Sequence, residues 1–431
     1  MANGDWIALA GFVVLFAMIA LRVPIGVAMG LVGVFGFASI RGINPALNLL
    51  ATSPIRVVAD FNLSLVPFFI LMGIFATNSG MSRELFRAGN AWLGSFRGGL
   101  ALSTIAACAG FAAICGSTVA TAATMTKVAL PEMRRFGYRD ETASGVIAAG
   151  GTLGILIPPS VVLVVYGYIT ETDVGQLFIA GIIPGILAMA MYMATVLIGH
   201  RKGLPDGKPF DMREAFTSLS GIWAVLLLFI AIIGAIYLGV ATPTEAAAVG
   251  AFLTMVIGVV RRRLNTRLII ESLTEALRTS VAVYTILIGA VLFGYFLAIT
   301  QSPQKLTNML IAFDLGPYGT LALILLLFVI AGCILDSMAM IILLVPIVFP
   351  VVINLGFDPV WFGIIIVMTA ELGLITPPVG INVFVINTIA KDVKLTTIFR
   401  GVIPFIFSDI LRLAILVLFP GIVLLLPMTM R

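Results

Sequence analysis

Two pairs of oxygen-bearing residues sit inside long apolar stretches of this chain, Ser117-Thr118 and Asp336-Ser337. A proline pair follows each, Pro158-Pro159 after the first and Pro377-Pro378 after the second. The two sets lie 219 residues apart, and the same offset, without a gap, pairs Gly154-Ile155-Leu156-Ile157 with Gly373-Leu374-Ile375-Thr376, Pro131 with Pro350, and Gly137 with Gly356. Proline has no N–H, so a helix broken by two of them leaves carbonyl oxygens without donors. Such carbonyls, beside hydroxyl and carboxylate oxygens, suit a small hard cation. One sodium site is therefore expected from Ser117 and Thr118 with Gly154, Ile157 and Pro158. Its counterpart is expected from Asp336 and Ser337 with Gly373, Thr376 and Pro377. The same residues would line a substrate pocket in which helix N-termini attract an anion. Prolines and small residues can also merely kink packed helices. Recurrence at one offset, each time after a polar tip, favours the ion reading.

The elements that must position these residues lie in a membrane. The chain has 431 residues, 61% hydrophobic and 10% charged, with mean hydropathy +1.16, far too apolar for a water-soluble globule. Apolar runs extend from Trp6 almost to Met428, and the longest polar stretch, Arg201 to Arg213, is only a loop. Met1 to Asp5 lacks the basic start of a signal peptide, so the first apolar run is expected to remain as a span. Spans are expected near 6–21, 24–40 and 63–80, followed by a surface-lying amphipathic stretch at 82–97. The apolar region 100–133 is too long for one span and too short for two, and small polar residues stand at its middle. A re-entrant helical hairpin resolves it. Segment 141–170 would be about 45 Å long as a straight helix, and its proline pair divides it into two half-helices. Further spans are expected near 176–199, 220–238, 243–260 and 280–300. A second hairpin at 321–350, a second broken helix at 359–390 and a last span from about Gly401 complete the chain.

These segments define an all-α polytopic membrane protein with inverted-topology repeats, each a re-entrant hairpin followed by a broken transmembrane helix. Residues 1–62 are N-terminal scaffold, 63–190 the first repeat, 191–279 connecting scaffold, 280–400 the second repeat and 401–431 a C-terminal helix. Charge tests the layout. With Arg201, Lys202, Lys208 and Arg213 in the cytoplasm, about nineteen basic residues fall inside, among them Arg134, Arg135, Arg139 and Arg261 to Arg263. Only Arg41, Arg56, Lys305 and Arg431 fall outside, in keeping with the positive-inside bias. The first hairpin then enters from the cytoplasm and the second from the opposite face.

Other residues are weighed against plainer roles. Asp336 is the sharpest, since a carboxylate near the bilayer centre needs a partner or water, and Glu371 is its expected neighbour. Asp409 and Arg412, three apart in the last span, read as a structural pair. Thr242-Pro243-Thr244-Glu245 reads as a helix start, with Pro at the first turn and Glu completing a cap. Cys108, Cys115 and Cys333 read as buried thiols. Lys127 is assigned no role. His200 is the only histidine and sits beside Arg201 and Lys202, which argues against a histidine metal site or proton relay. Neither a Ser/His pair nor a Walker motif occurs, so any pumping must draw on an ion gradient or a partner. The net charge of +5 requires no nucleic acid.

Ala241-Thr242-Pro243-Thr244-Glu245-Ala246-Ala247-Ala248, with Gly151-Thr152-Leu153-Gly154-Ile155-Leu156-Ile157-Pro158-Pro159-Ser160, resembles the large membrane subunit of TRAP (tripartite ATP-independent periplasmic) transporters. The resemblance covers essentially the whole chain. It implies a sodium-driven importer of organic acids in the bacterial inner membrane, working with a periplasmic substrate-binding protein and a smaller four-helix membrane subunit. It also implies an elevator-like motion of hairpins and broken helices against a static scaffold. In this family the small subunit is sometimes fused to the large one; here it is expected to be separate. A self-sufficient sodium or proton symporter for dicarboxylates could share the hairpin architecture. A lipid-handling membrane enzyme would need a cluster of acids, histidines or serine nucleophiles, which the sequence does not show.

Overall fold

The computed structural model describes residues 2–199, 204–312 and 315–430. Arg201, Lys202 and Arg431, which the charge argument placed, and His200 lie outside the described residues. The first half contains α1 (Ala2–Ala20), α2 (Ile25–Arg41), α3 (Ile43–Val58), α4 (Leu65–Asn78), α5 (Met81–Leu93), α6 (Gly99–Cys115), α7 (Thr118–Arg135), α8 (Asp140–Leu156), α9 (Val161–Thr170) and α10 (Val174–Gly199). The second contains α11 (Met212–Tyr237), α12 (Pro243–Val260), α13 (Thr266–Ile299), α14 (Ser302–Ala312), α15 (Gly316–Gly332), α16 (Ser337–Asn354), α17 (Pro359–Ile375), α18 (Ile381–Ile389) and α19 (Leu395–Leu418). Among the described residues, seven helices, or eight if α8 and α9 count as one span bent by 40°, are long and apolar enough to cross a bilayer.

Both hairpins and both breaks occur where residue chemistry places them. Helix α6 ends at Gly116, whose φ of +62° favours glycine and whose missing Cβ leaves room for the Pro159 carbonyl, 2.6 Å from where that Cβ would stand. Ser117 then caps α7, its hydroxyl accepting from the Ala120 N–H at 3.3 Å. In the second hairpin Asp336 does the same for α16, accepting from the Met338 N–H at 3.2 Å. Ser160 restarts the chain as α9 after the first proline pair, and Gly380 precedes α18 after the second. The Thr242–Glu245 capping box is present at the start of α12.

The 219-residue offset extends well beyond the motifs that revealed it. Helices α7 and α16 begin and end 219 residues apart, and so do α8 and α17. Amphipathic α5, at 81–93, has its counterpart in α14, at 302–312. Neither α14 nor α3 is among the expected spans. The span expected at 280–300 begins instead at Thr266 and forms one helix of 34 residues, about 51 Å long. It fuses the counterparts of α3 and α4; Ile286 stands where the first half has Pro67, in the first turn of α4. The last span starts at Leu395, not near Gly401.

Packing groups the helices into two bodies. Helix α2 lies along α13 and α4 along α12, whereas α6 to α10 and α15 to α19 pack mainly among themselves, with α4 on α6 and α13 on α16 as direct contacts between the groups. Helix α5 bridges α6 and α11, and α14 leans on α16. Glu84 of α5 forms a bidentate pair with Arg261 at the end of α12, at 2.7 and 3.0 Å. Lys305 of α14 pairs with Asp5 of α1. At the base of the first hairpin, Arg134 holds both Asp140 at 2.7 Å and Asp392 at 2.6 Å, tying it to the exit of α18. The Arg134 guanidinium keeps the Asp392 carboxyl below its ordinary pKa. The exit of α9, in contrast, lies at the base of the second hairpin, where the Tyr166 hydroxyl donates to the Pro359 carbonyl at 2.7 Å. The first broken helix therefore runs from one hairpin base to the other, and the hairpins enter from opposite ends.

Candidate functional site

The two hairpin tips meet. A cavity of about 410 Å³ is lined by Gly116 to Ala120 of the first tip and by Asp336 to Met338 of the second. Ile155 at the end of α8 and Val161 and Val162 at the start of α9 complete that side. Across from them stand Ile70, Thr77 and Asn78 of α4 with Glu275, Thr279 and Val283 of α13. The first turns of α7, α9 and α16 thus border one space, and the N–H groups that the Ser117, Ser160 and Asp336 caps leave unpaired contribute partial positive charge. Asp336 and Glu275 are the charged side chains among the described residues lining it, and none there is basic. A larger cavity of about 830 Å³ lies at the other end, near Asp60, Glu171, Asp173 and Thr242 to Thr244. It contains none of the residues nominated for ion binding, so size alone does not locate the chemistry.

The first nominated set is brought together closely. A Cβ on Gly154 would lie 2.6 Å from the Ser117 carbonyl oxygen and 2.9 Å from the Thr118 nitrogen, so only glycine allows this approach. Thr118 is buried and Ser117 half-buried. Because residues 158 and 159 are prolines, the carbonyls of Gly154 and Ile155 cannot receive the usual helical bonds. Ile157 and Pro158 turn toward α10, where Gly185 and Gly181 make room for them. The second set is looser. Gly373 packs its backbone on Gly332, one turn before the tip, rather than on Asp336. The Gly373 carbonyl accepts from the Thr376 N–H at 3.3 Å. The carbonyl of Leu374 loses its helical donor to Pro378.

Glu371 is not paired with Asp336. It reaches Arg412 instead, with Nη2 to Oε2 at 2.7 Å, and Arg412 also holds Asp409 at 2.9 Å. The expected Asp409–Arg412 pair exists, as part of a larger cluster. All three side chains are at most 2% exposed. Tyr192 donates its hydroxyl proton to Asp409, at 2.8 and 3.0 Å from the two carboxylate oxygens, and lies 3.1 Å from the Thr152 hydroxyl. Sequence reasoning missed Tyr192 and Thr152. The offset was the signal that could have found Thr152, since it stands 219 residues before Glu371.

The description "Tripartite ATP-independent periplasmic transporter, DctM component" matches residues 12–422. The chain belongs to this family. It is 38% identical to the C4-dicarboxylate TRAP transporter large permease protein DctM of Pseudomonas aeruginosa, over 90% of this chain and 93% of that one. It is 34% identical to the sialic acid TRAP transporter large permease protein SiaM of Vibrio cholerae, over 88% and 90%. The fold is also that of the Alcanivorax borkumensis YdaH transporter, known from its crystal structure, with TM-score 0.60, 15% identity, and coverage of 88% of this chain and 89% of that one. As a DctM component the protein is the large permease of a TRAP transporter, a multi-pass membrane protein whose relatives are transport proteins rather than enzymes.

The Gly154 contact gives the candidate site a direct test. Gly154→Ala should push the first hairpin tip off α8, because both atoms met by the new methyl are backbone. A misplacement near 1 Å at a site of this kind lowers rate about 100-fold. Gly234→Ala, where a Cβ meets nothing within 4 Å, should transport like the parent. Uptake rates at matched expression decide it; parental rates for both variants would remove the tip from the mechanism.

Proposed function

We propose that this DctM protein is the permease of a sodium-gradient-driven importer of a small organic acid in the bacterial inner membrane. The observation that carries the reading is the cavity between the tips. Three helix N-termini face it, two carboxylates line it, and no basic side chain among the described residues does. Helix dipoles alone offer an anion about half a charge each, against the full negative charges of Asp336 and Glu275. Cations bound beside the substrate would reverse that balance.

The residues present suit sodium. Ser117 and Thr118, with carbonyl oxygen from the break at Gly154, Ile157 and Pro158, would hold one ion. Asp336 and Ser337, with Gly373, Thr376 and Pro377, would hold another. All the donors are hard oxygens, and two carbonyls in the first break lack helical donors. Bound sodium would supply the positive charge that an anionic substrate meets. The first set, with its closer contacts, has the stronger structural support.

The positive-inside bias places the basic residues of the first hairpin base in the cytoplasm. The cavity, reaching Thr77, Asn78 and Glu275 at that end, would then be open inward. The separate packing of the hairpin body and of the α2–α4, α12–α13 body supports an elevator motion, with α5 and α14 as arms between them. Partners in this reading are a periplasmic substrate-binding protein and a small four-helix membrane subunit. Relatives named for C4-dicarboxylates and sialic acid support a carboxylate substrate. The test is uptake of a labelled C4-dicarboxylate or sialic acid into proteoliposomes containing the complex, with and without an inward sodium gradient. Uptake should require the gradient and the binding protein; equal uptake without sodium overturns the reading.

A further inference from the structure

The buried cluster behind the cavity joins the two halves of the protein at equivalent points. Thr152 and Glu371 occupy the same position in α8 and α17, 219 residues apart, each two residues before the glycine that opens its break. A continuous chain of contacts connects them through Tyr192, Asp409 and Arg412. Tyr192 has one hydroxyl proton and gives it to Asp409, so the single Thr152 proton is shared between the Ala149 carbonyl, at 2.8 Å, and the tyrosine oxygen, at 3.1 Å. Packing does not require this arrangement. Glu371 Oε1 and Arg412 Nε and Nη1 have no hydrogen-bond partner among the described residues, and apolar side chains commonly fill such a space with equal or better stability.

We propose that the chain Thr152–Tyr192–Asp409–Arg412–Glu371 couples the two cation sites, so that ordering one break by its ion favours the ordered form of the other. The inference rests on the sodium reading above. A displacement of the last turn of α8 moves Thr152 against Tyr192, and the buried charges, which tolerate little lengthening of their contacts, pass it to α17. These five are positioning residues; none is assigned as an ion ligand.

Tyr192→Phe cuts the chain at its middle and keeps the ring under the Arg412 guanidinium, now 5.5 Å from its centroid, and against Phe405. Thr152→Val cuts it at one end. The readout is the melting temperature of the purified protein titrated with sodium chloride at ionic strength held constant with choline chloride, since an ion that binds the folded state raises it. The parent should respond sigmoidally. Both variants should respond with a Hill coefficient of about one and need about three- to tenfold more sodium for half the effect, the equivalent of one lost hydrogen bond. A sigmoidal response unchanged in both, or a parent that is not sigmoidal, overturns the coupling while leaving sodium binding in place. A parent with no sodium-specific response overturns the sodium reading and the coupling with it. A lower melting point in the variants with the sigmoid intact makes the cluster structural only.

Discussion

Arg412→Met should destabilise this permease by about 3–5 kcal/mol, the largest effect expected of any single substitution discussed for it. Arg412 is 1% exposed and, among the described residues, is the one cation paired with the carboxylates of Glu371 and Asp409, themselves 0% and 2% exposed. Removing it leaves two buried carboxyl groups without their counter-charge. The loss follows from stranding the partners rather than from any large net worth of the intact cluster. Replacing all three together, as Glu371→Gln, Asp409→Asn and Arg412→Met, should therefore be markedly less harmful than Arg412→Met alone. Thermal unfolding of the purified variants measures both. A single variant that melts with the parent would show that Arg412 is not the counter-charge.

Asp336→Asn should raise the sodium concentration for half-maximal uptake about ten- to hundredfold, the range expected when a charged partner becomes neutral. The substitution is clean because Asp336 does two things at once. Its carboxylate accepts from the Met338 N–H and so caps α16, and asparagine caps helices about as well as aspartate. The hairpin should fold normally while the charge at its tip disappears. Equal sodium activation curves for variant and parent, at matched expression, would take Asp336 out of the ion site. Ser117→Ala offers the complementary comparison, since the ion site proposed there has no carboxylate.

The parts of this fold that could be read from residues alone are those governed by local chemistry. Proline pairs break helices wherever they occur, and Ser117, Ser160 and Asp336 are strong N-cap types. Hairpins and breaks consequently lay within a few residues of their expected bounds. Amphipathic segments were harder to place. Helix α14 and the first half of α13 carry too few apolar residues for a span, and nothing in their own composition separates a surface helix from a loop. Extending the 219-residue offset over the whole chain would have placed α14 from α5. The Glu371–Arg412 contact lay further out of reach, because it joins residues 41 apart on different helices. The second ion set shows the limit of symmetry as a guide: Gly373 repeats Gly154 in sequence yet meets Gly332 rather than the tip.

Helix α8 touches α19 where Gly145 and Gly401 stand backbone to backbone, and α10 where Gly181 faces the Leu156 carbonyl, 2.6 Å from where a Cβ would be. With no side chains between them, those three rods have no cushion of rotamers to absorb sliding. They behave as a welded frame. Under the elevator motion proposed above, slack would have to come from the two short girders, α5 and α14, of which α14 is fastened to the outer helices by an exposed ion pair that water can readily loosen, and α5 by a part-buried one.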